Sequence, residues 1–334
     1  MSQTPLARAA IGGSPVQARA TATVPAGGLA AAAAAFLIWG VFPLYLIGLA
    51  HVSALQITAH RVVWSCVFVL ALLAVRRELG ALAAAAKKPG VLLRLAASAL
   101  LVSINWLAFV WGVNHDHVVE VSLGYYINPL INVLLGILVL SERLNRVQWI
   151  TVALAAMGVA YLTITAGQFP WIALTVAVSF GLYGLIRKVA SVEALPGLAI
   201  EMMMLTPIAL AYLVWCHASS VGSFGHSGAL VDVLLVVSGL VTATPLFLFS
   251  YGARQLPYST VGILQYIAPS LQLVCAVFIM GEPFQKSRAI GFSFIWLALL
   301  IYAADGLWRA RQHARAALNT DIDSGEKELP RSAA

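Results

Sequence analysis

Three ionisable side chains, His60, Arg61 and Glu201, fall inside long apolar stretches of the sequence. A charge at such depth in a membrane is expensive and by default points to function. A guanidinium there attracts anions, and a carboxylate there is suited to taking up and releasing a proton. Arg61 lies about six residues from the end of its stretch, about 9 Å deep at 1.5 Å per residue. Snorkelling to the interface is the alternative for Arg61. For Glu201, the candidate proton-coupling group, the alternative is a neutral, hydrogen-bonded packing residue. Depth separates the two, so each is assigned its own half of a pathway rather than to a direct pair.

Amides and phenols supply a second kind of chemistry. Tyr125, Asn128 and Asn132 are spaced i, i+3 and i+7, which puts them on one helical face. Gln265 and Gln272 are likewise seven apart. Trp64 lies one turn from His60 and shares its face, and Asn105, Trp106, Trp39, Trp111 and Tyr183 extend the amphipathic surface. Two readings stay open for these groups. They line a cavity that contacts a polar organic substrate, or they hydrogen-bond between helices and hold a bundle together.

Catalytic patterns are missing. His115, Asp116 and His117 alternate in one loop, with no second ligand cluster to complete a metal site. Cys66, Cys216 and Cys275 have no close spacing, which excludes a disulfide framework or a zinc site. There is no Walker loop, dinucleotide fingerprint or HExxH. No metal, cofactor or catalytic residue is expected, and the chain is not expected to be an enzyme.

The elements that must position these groups come in two copies. Tyr126-Ile127-Asn128-Pro129 is followed thirteen residues after its proline by Glu142, and Tyr266-Ile267-Ala268-Pro269, 140 residues on, by Glu282. The same offset pairs Gly112 with Gly252, Tyr125 with Gln265 and Asn132 with Gln272. A weaker correspondence at offset 141 pairs Trp39-Gly40 with Phe180-Gly181. Pro129 and Pro269 each remove a backbone donor in mid-span; they are hinge candidates, or fixed kinks that shape packing.

The chain is 61% hydrophobic and 10% charged, where soluble domains run near one quarter charged. The bilayer is therefore its solvent. Ten segments reach the length of about 20 apolar residues that a spanning helix needs: 28–48, 55–75, 91–112, 119–140, 147–165, 170–188, 196–216, 229–252, 257–280 and 287–305. Of the 20 basic residues, only Lys286 and Arg288 fall at the side opposite the N-terminus, only Arg61 falls deep within a span, and the rest lie on the side of the N-terminus or at the span ends there. This asymmetry places both termini in the cytoplasm. The net charge of +7 is thus topology and not a nucleic-acid footprint.

The organisation expected is a disordered cytoplasmic tail (1–27), a five-helix repeat (28–165), a second five-helix repeat (170–305) and a polar cytoplasmic tail (306–334) that is also expected to be disordered. An odd number of spans per repeat inverts the second relative to the first. The fold class is all-α, polytopic, with ten transmembrane helices. The partners expected are the lipid bilayer and a small-molecule substrate.

Gly124-Tyr125-Tyr126-Ile127-Asn128-Pro129 with Glu142-Arg143-Leu144 resembles the RarD group of the drug/metabolite transporter superfamily. So do His60-Arg61-Val62-Val63-Trp64-Ser65, Tyr183-Gly184-Leu185-Ile186-Arg187-Lys188, Gln265-Tyr266-Ile267-Ala268-Pro269, Gly281-Glu282-Pro283 and Phe294-Ile295-Trp296. The resemblance covers residues 28–305. It implies two EamA-type halves, a bacterial inner membrane and a secondary transporter, with export the expected direction. One departure stands out: Gln56 occupies the region before His60-Arg61 where the group is expected to carry an acid. A polytopic membrane enzyme and a signalling or scaffold protein are the alternatives.

Overall fold

The computed structural model describes residues 25–115, 117–167, 170–281 and 286–328. Asp116, Glu282 and Pro283, residues 1–24 and the last six residues lie outside them. Among the described residues all regular structure is helical, and ten helices are long and apolar enough to cross a bilayer. In chain order the helices are α1 (Ala26–Ile47), α2 (Ala54–Val75), the short, non-spanning α3 (Leu79–Ala86), α4 (Pro89–Asn114), α5 (Val118–Leu138), α6 (Arg146–Ala166), α7 (Trp171–Val189), α8 (Ala194–Ala218) and α9 (Ala229–Gln255). The ninth span is divided into α10 (Tyr258–Gln265), α11 (Ile267–Val274) and a π turn (Cys275–Ile279), and α12 (Lys286–Glu328) closes the chain.

Each span is an apolar run that satisfies its backbone internally, as hydrocarbon requires. Local chemistry sets several ends. Pro89 opens α4, where its missing N–H has no consequence. Asn145 and Gln148 exchange 2.9 Å hydrogen bonds in a capping box at the start of α6. Gly167 ends that helix at φ 74°. Two elements depart from the sequence reading. The short α3 was not expected; four successive alanines make it a strong helix former. The polar tail expected to be disordered continues α12 to Glu328, through a segment rich in Ala and Arg that also favours helix.

The halves interlock. α5 packs on α7 and α10, α1 on α9 and α11, α2 against α8 and α9, and α6 on α12. The inversion is visible in matched contacts. A Cβ on Gly40 would stand 2.8 Å from Leu271, and a Cβ on Gly181 would stand 2.7 Å from Ile131. Gly40 and Gly181 are repeat mates, as are Ile131 and Leu271, so one close helix crossing occurs twice. The mates Trp39 and Phe180 meet edge to face at 5.6 Å, beside Phe36, Tyr183 and Phe249 in the largest buried cluster.

The two proline motifs differ in backbone. Pro269 cannot donate to Gln265, and the helix opens at Tyr266, whose N–H turns to Ile263 O at 3.2 Å. Pro129 sits inside the continuous α5.

Candidate functional site

The groups singled out in the sequence fall into separate clusters. Arg61 projects from α2 and is half-buried. Its guanidinium lies 5.0 Å from the centre of the Phe42 ring and 5.2 Å from that of Trp106. Its Nε donates to Thr242 Oγ1 at 2.8 Å. Tyr45 and Tyr125 stand within its electrostatic reach, and Tyr45 donates to Leu234 O. Side chains from α1, α2, α4, α5 and α9 thus converge on one cation. The ion pairs Arg76–Glu78, His117–Glu120 and Arg187–Glu201 do not involve Arg61, and no carboxylate among the described residues is paired with it.

The amides form a second cluster, threaded between helices. Asn105 donates to Val176 O at 2.8 Å and ties α4 to α7. Asn128 donates to Ala177 O at 2.5 Å and ties α5 to α7. Asn132 donates to Gln265 Oε1 at 2.6 Å and more loosely, at 3.4 Å, to Asn128 Oδ1, joining α5 to α10. All four residues are buried. Gln272 stands apart and donates to Trp39 O on α1 at 3.1 Å. In this conformation the amides therefore bridge helices. They lie alongside the Arg61 group rather than within it.

Glu201 occupies a third place. It is fully buried, 3.6 Å from the Arg187 guanidinium, and accepts a hydrogen bond from Ser98. Arg187 in turn donates to Ser250 Oγ at 2.9 Å and Ala194 O at 2.7 Å. The sequence reading counted Arg187 among the charges at the cytoplasmic margin. It is instead 1% exposed and sealed against α8 and α9. The signal lay in the short turn after α7: an arginine just before it can reach a carboxylate two turns up the returning helix. Ser98, Thr242, Ser250 and Phe42 carried no signal that sequence alone could separate from packing.

His60 and Trp64 point away from Arg61. Neighbours on a helix are about 100° apart, and His60 and Trp64 line a cavity between α2 and α8 that Arg61 does not line. Of the alternating triad, His115 stacks on Trp111 at 4.3 Å, His117 pairs with Glu120 at 3.4 Å, and Asp116 is outside the described residues.

Ten apolar helices in two inverted five-helix halves, with polar groups gathered where the halves meet, define a polytopic membrane protein of the drug/metabolite transporter architecture. The chain belongs to the EamA-like transporter family, which it matches twice, over residues 25–164 and 170–304. It is 45% identical over 276 residues to an uncharacterised transporter of Pseudomonas aeruginosa, covering 83% of this chain and 92% of that one. It is 46% identical over 278 residues to the uncharacterised transporter YojE of Bacillus subtilis, covering 81% and 91%. It is 41% identical over 288 residues to RarD of Escherichia coli, covering 86% and 97%. These similarities make it a RarD-type member. A crystal structure at 20% identity shares the fold with a TM-score of 0.64, over 82% of this chain and 96% of that one.

Proposed function

We propose that the protein is a secondary transporter of the bacterial inner membrane that exports a small amphipathic organic molecule bearing an anionic group, by alternating access between its inverted halves. Both termini lie in the cytoplasm in this reading, as the basic-residue asymmetry requires. The supporting observation is the Arg61 group: a half-buried cation between two aromatic rings, with no carboxylate partner among the described residues. An unpaired charge within a span is expensive, and an anionic ligand supplies the missing partner. Phe42, Trp106 and Tyr125 offer the rest of such a molecule an apolar and aromatic surface.

The test is thermal stabilisation of the purified protein across a library of carboxylates and matched uncharged amides. A ligand that binds the folded state raises its apparent stability with RT ln(1 + [L]/Kd). Carboxylate responses that vanish in Arg61→Gln support the reading. Responses from amides alone, or carboxylate responses unchanged in Arg61→Gln, would move the site elsewhere.

Proton coupling belongs to the same proposal and is assigned to Glu201. Protonation there would leave Arg187 without its counter-charge and loosen α7 from α8, which links the proton to helix packing. Transport by Glu201→Gln that follows the native pH profile would remove Glu201 from the cycle.

A further inference from the structure

Five of the chain's 20 basic residues fall between the end of α2 and the first turns of α4: Arg76, Arg77, Lys87, Lys88 and Arg94, against one acid, Glu78. All five cations are exposed. Arg76 pairs with Glu78 at 2.8 Å, and the other four have no ion-pair partner among the described residues. The backbone that carries them is fixed. Ala85 of α3 is buried with Val91 and Leu95 of α4 and with Ala190, Val192 and Ile200 from the turn after α7 and the start of α8. Arg77 closes α2 in the left-handed region at φ 59°. Its N–H donates to Ala74 O at 3.0 Å, and Glu78 N–H donates to Leu73 O at 2.8 Å. Glycine is the usual residue at such a cap, because a side chain there is strained. Each end of the patch adjoins apolar surface that faces the lipid. Val75, 81% exposed, precedes Arg76, and Leu93, 74% exposed, precedes Arg94. The cations therefore stand at the border where the headgroups of the bilayer begin.

We infer that this patch is a binding site for the anionic headgroups of membrane phospholipids. The bilayer is the solvent of the spans on either side of it, so lipid phosphates lie within reach of the unpaired cations and supply the charge the protein lacks there. A cluster of about four to eight Lys or Arg beside a span is the composition that anionic lipids recognise. Topology asks for cations on one side of the membrane, but it does not ask for one in a strained turn. An arginine kept where glycine would be unstrained points to the side chain as what the position retains. The site concerns the leaflet and not the substrate, so it does not rest on the transport reading.

The probes are dioleoyl phosphatidylglycerol and dioleoyl phosphatidylcholine, which share acyl chains and differ in net charge. Each is titrated into the detergent-solubilised full chain, and the rise in thermal midpoint reports binding. Phosphatidylglycerol is expected to act at about tenfold lower concentration. That preference collapses in about 1 M NaCl, where the screening length is about 3 Å. Combining Arg77→Gln, Lys87→Gln, Lys88→Gln and Arg94→Gln removes it. Arg143→Gln with Arg146→Gln, which neutralises two other exposed cations, leaves it in place. Arg77→Gly serves as the independent check if the combined variant melts early. Relief of the turn holds or raises its midpoint without lipid, while its phosphatidylglycerol affinity falls about fivefold. Equal responses to the two lipids, an intact preference in the folded combined variant, an equal loss in the Arg143 and Arg146 variant, an unchanged affinity in Arg77→Gly, or equal stabilisation by soluble glycerol phosphate overturns the proposal.

Discussion

The carboxylate of Glu142, which follows the fourth span in the first half, accepts the backbone N–H of Tyr258 at 2.5 Å, the first residue of the ninth span in the second half. It also accepts Ser259 N–H at 2.9 Å and the Ser259 hydroxyl at 2.7 Å. The first N–H groups of a helix have no intrahelical acceptor, so one half completes a helix belonging to the other. Nearby, α7 and α9 cap each other's C-termini. Lys188 donates to Ala253 O at 3.0 Å and to Leu256 O, and Arg254 donates to Ala190 O at 2.9 Å. Tyr258 adds a hydrogen bond to Gly181 O at 2.6 Å. Glu142 thus ties this end of the bundle across the repeat boundary, and the other bonds tie it within the second half.

Removing this cap should weaken the whole molecule. Glu142→Ala leaves the first donors of α10 without their acceptor and is expected to destabilise by about 0.5–2 kcal/mol. Glu142→Gln keeps an acceptor without the charge and should lose less. Thermal unfolding in detergent reads both, and an unchanged midpoint for Glu142→Ala would show that the contact contributes nothing.

Close packing of α10 on α5 predicts a sharp difference between two glycines. A Cβ on Gly262 would stand 2.6 Å from Pro129 O, a backbone atom that cannot swing aside, whereas one on Gly27 meets nothing within 4 Å. Gly262→Ala is expected to lower stability by about 1–3 kcal/mol. Gly27→Ala should melt with the native protein. Equal melting of the two variants would contradict the packing described.

The buried Arg187–Glu201 pair should behave non-additively. Removing one member leaves an uncompensated buried charge and costs about 3–5 kcal/mol. The double variant Arg187→Met with Glu201→Met should recover much of that loss, since apolar replacement of a whole buried pair is often neutral. Additive losses across the four-member cycle would mean that the two side chains do not act as a pair.

The Asn132–Gln265 hydrogen bond gives a means of deciding between the two readings of the amide stripe. As a helix tie, a double-mutant cycle with Asn132→Ala and Gln265→Ala should return a coupling of about 0.6 kcal/mol, up to about 1.7. As a substrate contact, either change should abolish ligand stabilisation while the midpoint without ligand stays put. Thermal unfolding with and without ligand measures both quantities on the same samples.

The spans were legible because each needs only length and apolar composition, and the ten helices follow the expected segments closely. The repeat was legible from Pro129 and Pro269 and its inversion from the odd number of spans in each half, and the repeat reappears in the matched Gly40–Leu271 and Gly181–Ile131 crossings. What sequence could not supply was which polar side chains meet. Glu142 and Tyr258 are 116 residues apart, and nothing local announces their bond. Arg187 looked like a charge at the cytoplasmic margin because it lies one residue from the expected end of its span at 188, and hydropathy ignores where a long side chain can reach. Arg61 and His60 were grouped because they are adjacent, although one residue of helix turns His60 toward the cavity between α2 and α8 and Arg61 toward Phe42, Trp106 and Thr242. Periodicity alone could have separated them.

The ninth span is broken at Tyr266 while its counterpart α5 runs unbroken through Pro129. In an alternating-access cycle the halves of an inverted repeat exchange conformations, so each half displays the shape its partner takes on the return stroke. The opposite-facing state then requires α5 to open at Tyr126 and the ninth span to close. Pro129 has already removed the backbone bond that would oppose that opening. In the proposed cycle the paired prolines would work as two halves of a single toggle.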